Sequence, residues 1–209
     1  MPTDQVIHVV DDDPRYLSAL ERSLRSTGLA VRAHACAIDF LDRFEPDRPG
    51  CLVTDLRMPG IDGMALQQAL RERGLRIPVI FITGHGDTAT AVAAFRNGAV
   101  DFLQKPFSEK QLLESVAQAL RKSLRDHQLA QEQAVVRERY GNLSPRERQV
   151  FALVVSDRAN RDIAKELKIS PRTVEHHREH LRLKMQANSL AELITMAVLC
   201  GIHELHLRA

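Results

Sequence analysis

Reactive side chains stand at the ends of four short apolar runs. Asp11 and Asp12 follow Val6-Ile7-His8-Val9-Val10, and Asp55 follows Cys51-Leu52-Val53-Thr54. Thr83 follows Val79-Ile80-Phe81-Ile82, and Lys105-Pro106 follow Val100-Asp101-Phe102-Leu103-Gln104. If these runs are parallel strands, the four groups converge at one carboxyl edge, where open α/β sheets place their sites. Three carboxylates, a hydroxyl and an ammonium are suited to holding Mg²⁺ while one carboxylate takes a phosphoryl group. A carboxylate is a weak nucleophile towards phosphorus until the phosphoryl charge is neutralised. Asp12 and Asp55 can ligate the metal directly, and Asp11 directly or through water. The backbone carbonyl of Arg57, two residues past Asp55, lies in the right turn to add a ligand. Lys105 can pair with Asp55 or with a phosphoryl oxygen, and Thr83 can donate to another. Pro106 is a candidate for a cis bond that holds its turn.

The elements that must position these groups alternate between β-type and helical patterns. Helices are expected over Pro14–Thr27, with Gly28 as the stop, Ile38–Phe44, Gly63–Glu72 and Asp87–Asn97, with Gly98 in the C-cap position. A second strand fits Ala30–His34, and Ser108 with Gln111 forms a capping box that opens a fifth helix. Five βα units of this length predict a doubly wound, flavodoxin-like parallel sheet of order 2-1-3-4-5. From Ser108 to about Tyr140 there is neither proline nor glycine. This stretch reads either as a fifth helix followed by a polar linker or as one long helix whose distal part touches a partner subunit.

Beyond Gly141-Asn142 every segment reads as helix. Ser144 caps a helix that starts Pro145-Arg146-Glu147, with acid in its first turn. Arg161–Leu167, the turn Lys168-Ile169-Ser170 and a helix from Pro171-Arg172-Thr173-Val174 to Met185 have the spacing of a helix-turn-helix. A fourth helix runs from Leu190 to about Cys200, which makes this an all-α four-helix unit. The helix after the turn begins with polar groups, and Arg, Thr and Ser there can contact phosphates and bases.

The totals are those of an ordinary globular chain: 209 residues, 44% hydrophobic and 27% charged. Met1-Pro2-Thr3-Asp4 does not open a signal peptide, and no apolar run approaches the roughly 20 residues that span a bilayer. Cys36, Cys51 and Cys200 show no CxxC spacing and read as reduced thiols, so a cytoplasmic protein with no membrane partner is expected. Residues 1–123 carry 15 Lys/Arg against 16 Asp/Glu, and residues 143–209 carry 11 against 8. An excess this small does not by itself identify a nucleic-acid binder.

Residues 1–123 resemble the receiver domain of bacterial two-component response regulators. The matching motifs are Val10-Asp11-Asp12-Asp13, Thr54-Asp55-Leu56-Arg57-Met58-Pro59-Gly60, Ile82-Thr83-Gly84 and Lys105-Pro106-Phe107. The resemblance implies phosphorylation of Asp55 by a sensor histidine kinase. It implies Mg²⁺ at Asp11 and Asp12, and Thr83 and Lys105 as readers of the phosphoryl group. Phe102 matches the family's rotating aromatic switch. Residues 143–209 are similar to the LuxR/NarL-type DNA-binding domain, closest to its FixJ branch, in Leu143-Ser144-Pro145-Arg146-Glu147-Arg148-Gln149-Val150 and Ser170-Pro171-Arg172-Thr173-Val174-Glu175. Residues 124–142 remain as a helical linker.

The implied function is a phosphorylation-dependent transcription regulator that dimerises when phosphorylated and binds double-stranded promoter DNA, with RNA polymerase as a further partner. Its DNA-facing set is Ser170, Arg172, Thr173, Glu175, His176, His177 and Arg178. The chain departs from the family pattern at Asp157-Arg158, where Gly and an apolar residue are usual, and at His176, where an aliphatic residue is common. Either a tight turn is altered at Asp157 or Arg158 reaches a phosphate. His176 and His180 are spaced for a metal, but no third ligand is in view.

Two other readings compete. A phosphatase of the haloacid-dehalogenase type would use Asp55 as nucleophile but needs an acid two residues on, where Arg57 stands. Slow loss of the chain's own phosphoryl group is then the only turnover expected, and the protein is not an enzyme in the usual sense. A receiver acting by protein contact, with a tail that binds no DNA, is the other.

Overall fold

The computed structural model describes residues 5–84 and 88–201, the side chains of 88 and 89 excepted. The chain divides into two compact units, residues 1–127 and 128–209.

The first unit is a five-stranded parallel sheet of order β2-β1-β3-β4-β5. The strands are β1 (Val6–Val10), β2 (Ala30–His34), β3 (Gly50–Asp55), β4 (Val79–Thr83) and β5 (Asp101–Gln104). Between them lie α1 (Pro14–Arg25), α2 (Ala37–Arg43), α3 (Gly63–Glu72) and α4 (Thr88–Arg96), and α5 (Glu109–Gly141) follows. The expected topology is the observed one, and most bounds agree within a residue or two. Asp87, the expected first residue of the fourth helix, lies outside the described residues. Gly98 closes α4 at φ +90°, where its N–H bonds Phe95 O and that of Ala99 bonds Ala94 O.

Strand alternation divides the core. Ile7, Val9, Cys51, Val53, Ile80 and Ile82 face α1 and α5 through Leu20, Leu24, Leu112 and Val116. Val10, Leu52 and Phe81 face the other helices through Phe40, Leu66 and Ala94. Asp55, the last residue of β3, and Asp11 and Lys105, just past β1 and β5, continue the first of these parities, so the pleat itself aims them to one side of the sheet's carboxyl edge. Gly63 is required beneath them: a Cβ there would stand 2.6 Å from Asp55 O and 3.1 Å from the Phe81 ring.

Two histidines lie inside the opposite half of the core. His8 and His34 are 4% and 2% exposed, their rings are stacked, and Phe40 meets both edge-on. Asp39 Oδ2 accepts from His34 Nδ1 at 3.0 Å, which leaves His34 Nε2 to accept from His8 Nδ1 at 3.2 Å. Arg43 holds Asp39 in turn at 3.0 Å.

The second unit contains the end of α5, then α6 (Pro145–Val155), α7 (Asn160–Leu167), α8 (Pro171–Met185) and α9 (Leu190–Leu199). Its core is Val150, Phe151, Val154, Ile163, Val174, Leu181, Met185 and Leu193, and Val136 and Tyr140 of α5 pack into it. Residues 124–141 are helical throughout. Among the described residues no helix is long and apolar enough to cross a membrane.

Burial lowers the His8 pKa to about 4, aided by the charges of His34, Arg32 and Arg48 and opposed by Glu45. The unfolded chain therefore binds this proton at a higher pH than the folded one. Stability should be full above about pH 6.5 and decline as pH falls to about 4, by on the order of 3 kcal/mol from this residue. Urea unfolding between pH 7 and 4 should show a shallower decline in His8→Phe than in wild type, and equal slopes would contradict the assignment.

Candidate functional site

The acidic edge forms at the point where the strand order reverses, between β1 and β3. Three ladder-type bonds carry the sheet past its last paired residues. Asp11 N–H donates to His34 O at 3.3 Å, Leu56 N–H to Ile82 O at 2.8 Å, and Lys105 N–H to Thr83 O at 2.7 Å. The backbone at Asp11, Asp55 and Lys105 is thus fixed by ladder-type pairing.

Lys105 Nζ lies 2.8 Å from Asp55 Oδ1, 3.4 Å from Asp11 Oδ2 and 3.7 Å from the centroid of the Tyr16 ring. Asp55 Oδ2 accepts from Arg57 N–H at 2.8 Å, and Asp11 Oδ1 accepts from Asp13 N–H at 2.9 Å. Asp13 also caps α1 through Arg15 and Tyr16 N–H. Burial raises the Asp11 pKa, and the charge of Asp55 adds to the rise; the Asp13 N–H and the Lys105 ammonium work against it. Burial would lower the Lys105 pKa, but its bond to Asp55 and the charges of both carboxylates outweigh burial and raise it. The Lys105–Pro106 bond is cis, as the sequence suggested.

Of the other residues expected here, Asp12 is exposed, Thr83 is only 1% exposed at the end of β4, and Phe102 is half-buried with its ring 6.4 Å from that of Phe81. Among the described residues no three His, Cys, Asp or Glu side chains form a closed metal-binding group. Mg²⁺ takes hard oxygen donors and keeps several waters, so it needs few protein ligands. Two converging carboxylates, one deeply buried, are a donor set of that kind. In the sequence Asp13 stood out only within the Val10-Asp11-Asp12-Asp13 motif, with no role of its own, and Tyr16 not at all. The Asp13-Pro14 pair was a legible cap signal, whereas the contact of Tyr16 depends on how α1 lies on the sheet.

In the second unit the turn between α7 and α8 is held at both ends. Lys168 adopts φ +54°, with Lys168 N–H bonding Lys165 O and Ile169 N–H bonding Ala164 O. Ser170 Oγ accepts from Thr173 N–H at 3.0 Å and shares a bond with Thr173 Oγ1, so both hydroxyls are engaged in the cap of α8. Arg178 donates to Asn160 Oδ1 at 2.9 Å, which ties α8 to the start of α7. Lys184 Nζ pairs at 2.7 Å with Glu147, a carboxylate only 4% exposed that also closes the capping box of α6. Burial would raise the pKa of Glu147, but Lys184 and Ser144 overcome it and hold the group at about 2.

Arg172, Glu175 and His176 are exposed on α8, and His177 is half-buried. Burial, then the positive charge of Arg146, lowers the pKa of His177. The His176 and His180 rings lie 4.2 Å apart. Asp157 takes φ +57°, and the N–H groups of Asp157 and Arg158 bond Val154 O and Leu153 O, so this turn closes as it would around glycine.

Residues 7–117 match the response regulator receiver domain, and residues 141–197 match the bacterial regulatory proteins of the luxR family. The chain belongs to the response regulators that join a receiver to a LuxR-type DNA-binding domain, an architecture consistent with phosphorylation-dependent transcription regulation. Within that family it is similar to the transcriptional regulatory protein FixJ. It is 45% identical over 202 residues to that of Azorhizobium caulinodans, which covers 97% of this chain and 96% of the relative. Identity to FixJ of Rhizobium meliloti is 44%, over 95% of this chain and 98% of the relative. Among solved structures, the response regulator StyR matches with a TM-score of 0.81 and 38% identity, over 92% of this chain and 98% of that one. Full-length FixJ from B. japonicum matches with a TM-score of 0.55 and 39% identity, over 94% and 97%. Receiver domains as a class bind Mg²⁺ at the phosphorylation site, and the two domain types imply a histidine kinase and DNA as partners.

The non-glycine residues in left-handed conformations carry a testable cost. Lys168→Gly and Gln186→Gly, the latter at φ +53°, should each stabilise the second unit by about 1 kcal/mol. Asp157→Gly should gain less, because Asp tolerates this region better. Hydrogen exchange of the core amides of α7 and α8 measures the change.

Proposed function

We propose that Asp55 accepts a phosphoryl group from a sensor histidine kinase and that the product binds promoter DNA as a homodimer. The observation that carries this reading is the Asp11–Lys105–Asp55 cluster, in which one ammonium holds two converging carboxylates at 3.4 and 2.8 Å.

Asp11, Asp12, Asp55 and the backbone carbonyl of Arg57 would hold Mg²⁺. When bound, it neutralises the phosphoryl oxygens so that an anionic carboxylate can approach phosphorus. An oxygen of Asp55 forms the new P–O bond as the P–N bond to the kinase histidine breaks, and the leaving imidazole nitrogen keeps the electron pair and takes a proton. Lys105 transfers its ion pair from Asp55 to a phosphoryl oxygen. The Thr83 hydroxyl donates to another, and Phe102 turns inward with it. This is a population shift of a two-state receiver, favoured by contacts made only to the phosphorylated form. Slow hydrolysis of the aspartyl phosphate returns it, and this is the only turnover expected.

The working division is a receiver over 1–123, a helical linker over 124–142 and a DNA-binding domain over 143–209, acting in the cytoplasm. Helix α8 enters the major groove from its N-terminal end. Arg172, Glu175 and His176 face the bases and phosphates most directly, while Ser170, Thr173, His177 and Arg178 frame them. Two such units bind a two-fold site, and RNA polymerase is engaged at the promoter.

With Mg²⁺ and acetyl phosphate, the wild-type chain should gain one phosphoryl group and Asp55→Asn none at that position. Equal labelling of both, mapped away from residue 55, would falsify the acceptor assignment.

Phosphorylation should tighten DNA binding by roughly 5- to 150-fold, the range of couplings of about 1–3 kcal/mol. Arg172→Ala should weaken binding and, if it contacts a phosphate, make the salt dependence shallower. His176→Ala should relax preference at one base of the half-site at a cost of about 1–3 kcal/mol. Gel shifts with the chain's own upstream region read all three, and identical affinity for true and scrambled sites in every state is the outcome that removes the regulator reading.

A further inference from the structure

Among the described residues the ammonium of Lys105 touches three groups, of which two are carboxylates. The third is the face of the Tyr16 ring, with Nζ 3.7 Å from its centroid. Tyr16 stands in the first turn of α1, where its N–H reaches the capping carboxylate of Asp13 at 3.4 Å. Its ring is also met edge-on by Phe107 at 6.5 Å and 87°. Both rings lie at the margin of the α1/α5 side of the core. The helix cap thus holds the Tyr16 backbone, and an aromatic neighbour two residues past Lys105 meets its ring. An aromatic face carries negative charge density and attracts an ammonium most strongly where water is partly excluded.

We infer that Tyr16 is a positioning residue for phosphoryl transfer, its ring face holding Lys105 Nζ over the carboxylate pair. The inference rests on the reading of Asp55 as acceptor. The physical need comes from the lysine itself. Its four-carbon stem is flexible and loses much rotamer freedom when held in one place. In the resting state Asp55 and Asp11 supply that restraint through their charges. During transfer Asp55 changes from a carboxylate to an acyl phosphate, so the strongest of these contacts changes identity as the bond forms. The Tyr16 ring does not change, and it keeps Nζ at the edge of the sheet through the exchange of partners. The hydroxyl has no part in this, which separates the proposal from a hydrogen-bonding role.

The test uses the full-length chain with Mg²⁺ and acetyl phosphate, with phosphoprotein followed over time by intact mass. Tyr16→Leu should slow phosphorylation by roughly 2- to 30-fold, the rate equivalent of one cation–π contact. Tyr16→Phe keeps the ring face and should stay within about twofold of wild type. In a Lys105→Met background Tyr16→Leu should have no further effect, because the contact it removes is already gone. Thermal melting checks the fold of each variant, and Tyr16→Met, which keeps more of the bulk, is read in the same way if Tyr16→Leu melts early. A wild-type rate for the folded Leu or Met variant overturns the inference. So does a Phe variant as slow as Leu, which would assign the effect to the hydroxyl, or an undiminished effect in the Lys105→Met background. Asp55→Asn is run alongside. Label that persists there removes the acceptor reading itself, whereas its loss together with an unaffected Tyr16→Leu removes only the role of Tyr16.

Discussion

Two carboxylates set close together and away from water repel each other and lose hydration, and a fold keeps both ionised when a cation lies between them. Lys105 is that cation for Asp11 and Asp55. The rest of the first unit can be read as what this ion triad requires. Asp11 and Asp55 must leave adjacent strands on the same side, which the β1–β3 pairing and their common parity provide. Lys105 directly follows β5, two strands from β3, a separation of roughly 9–10 Å by ordinary strand spacing. Only a long side chain reaches back across β4 to Asp55, and lysine keeps a compact charge at the end of such a reach.

The second unit solves a different problem. Its proposed work is presentation of one face of α8, and the structure spends its polar interactions on the other faces. Glu147 pins α8 to α6 through Lys184, Asn160 pins it to α7 through Arg178, and Ser170 and Thr173 close its first turn. Arg172, Glu175 and His176 remain on the exposed side. The helix is oriented before any ligand arrives, and preorganisation of this kind reduces the ordering cost of binding. Three of its turns place Asp157, Lys168 and Gln186 in conformations that glycine would adopt with less strain, so local stability has been given up there for side chains of another use or of none.

The histidine pair shows how little of a polar core is visible from composition. His8 sits in the middle of an apolar strand and His34 ends another, with nothing in either run to mark them as partners. The β1–β2 pairing brings them together, and Asp39 and Phe40 of α2, with Phe44 just past it, close over them. The result is a buried polar chain in which His8 Nδ1, both ring nitrogens of His34 and Asp39 are paired, and pairing is the condition under which such groups are tolerated.

The sequence alone determined the order of elements, the sheet topology and the four strand ends that carry reactive groups. These follow from local signals: apolar runs of strand length, caps such as Ser144 and Ser108, and stops such as Gly98. The helix-turn-helix was legible for the same reason, since its spacing lies within one stretch of chain. Three things depended on tertiary structure. One is which partner each charged group takes, as in Lys184 with Glu147, far apart in sequence. Another is which face a helix presents, so that His177 and Arg178 turn partly inward while His176 points out. The last is whether the turn at Asp157 survives without glycine, which it does at φ +57°. Each is set by the packing of elements against one another, and a linear pattern of residue types encodes the periodicity of an element but not the surface it will meet. Tyr16 is the plainest case: in the sequence it is one more residue of an amphipathic helix, and only the lie of α1 on the sheet puts its ring against Lys105.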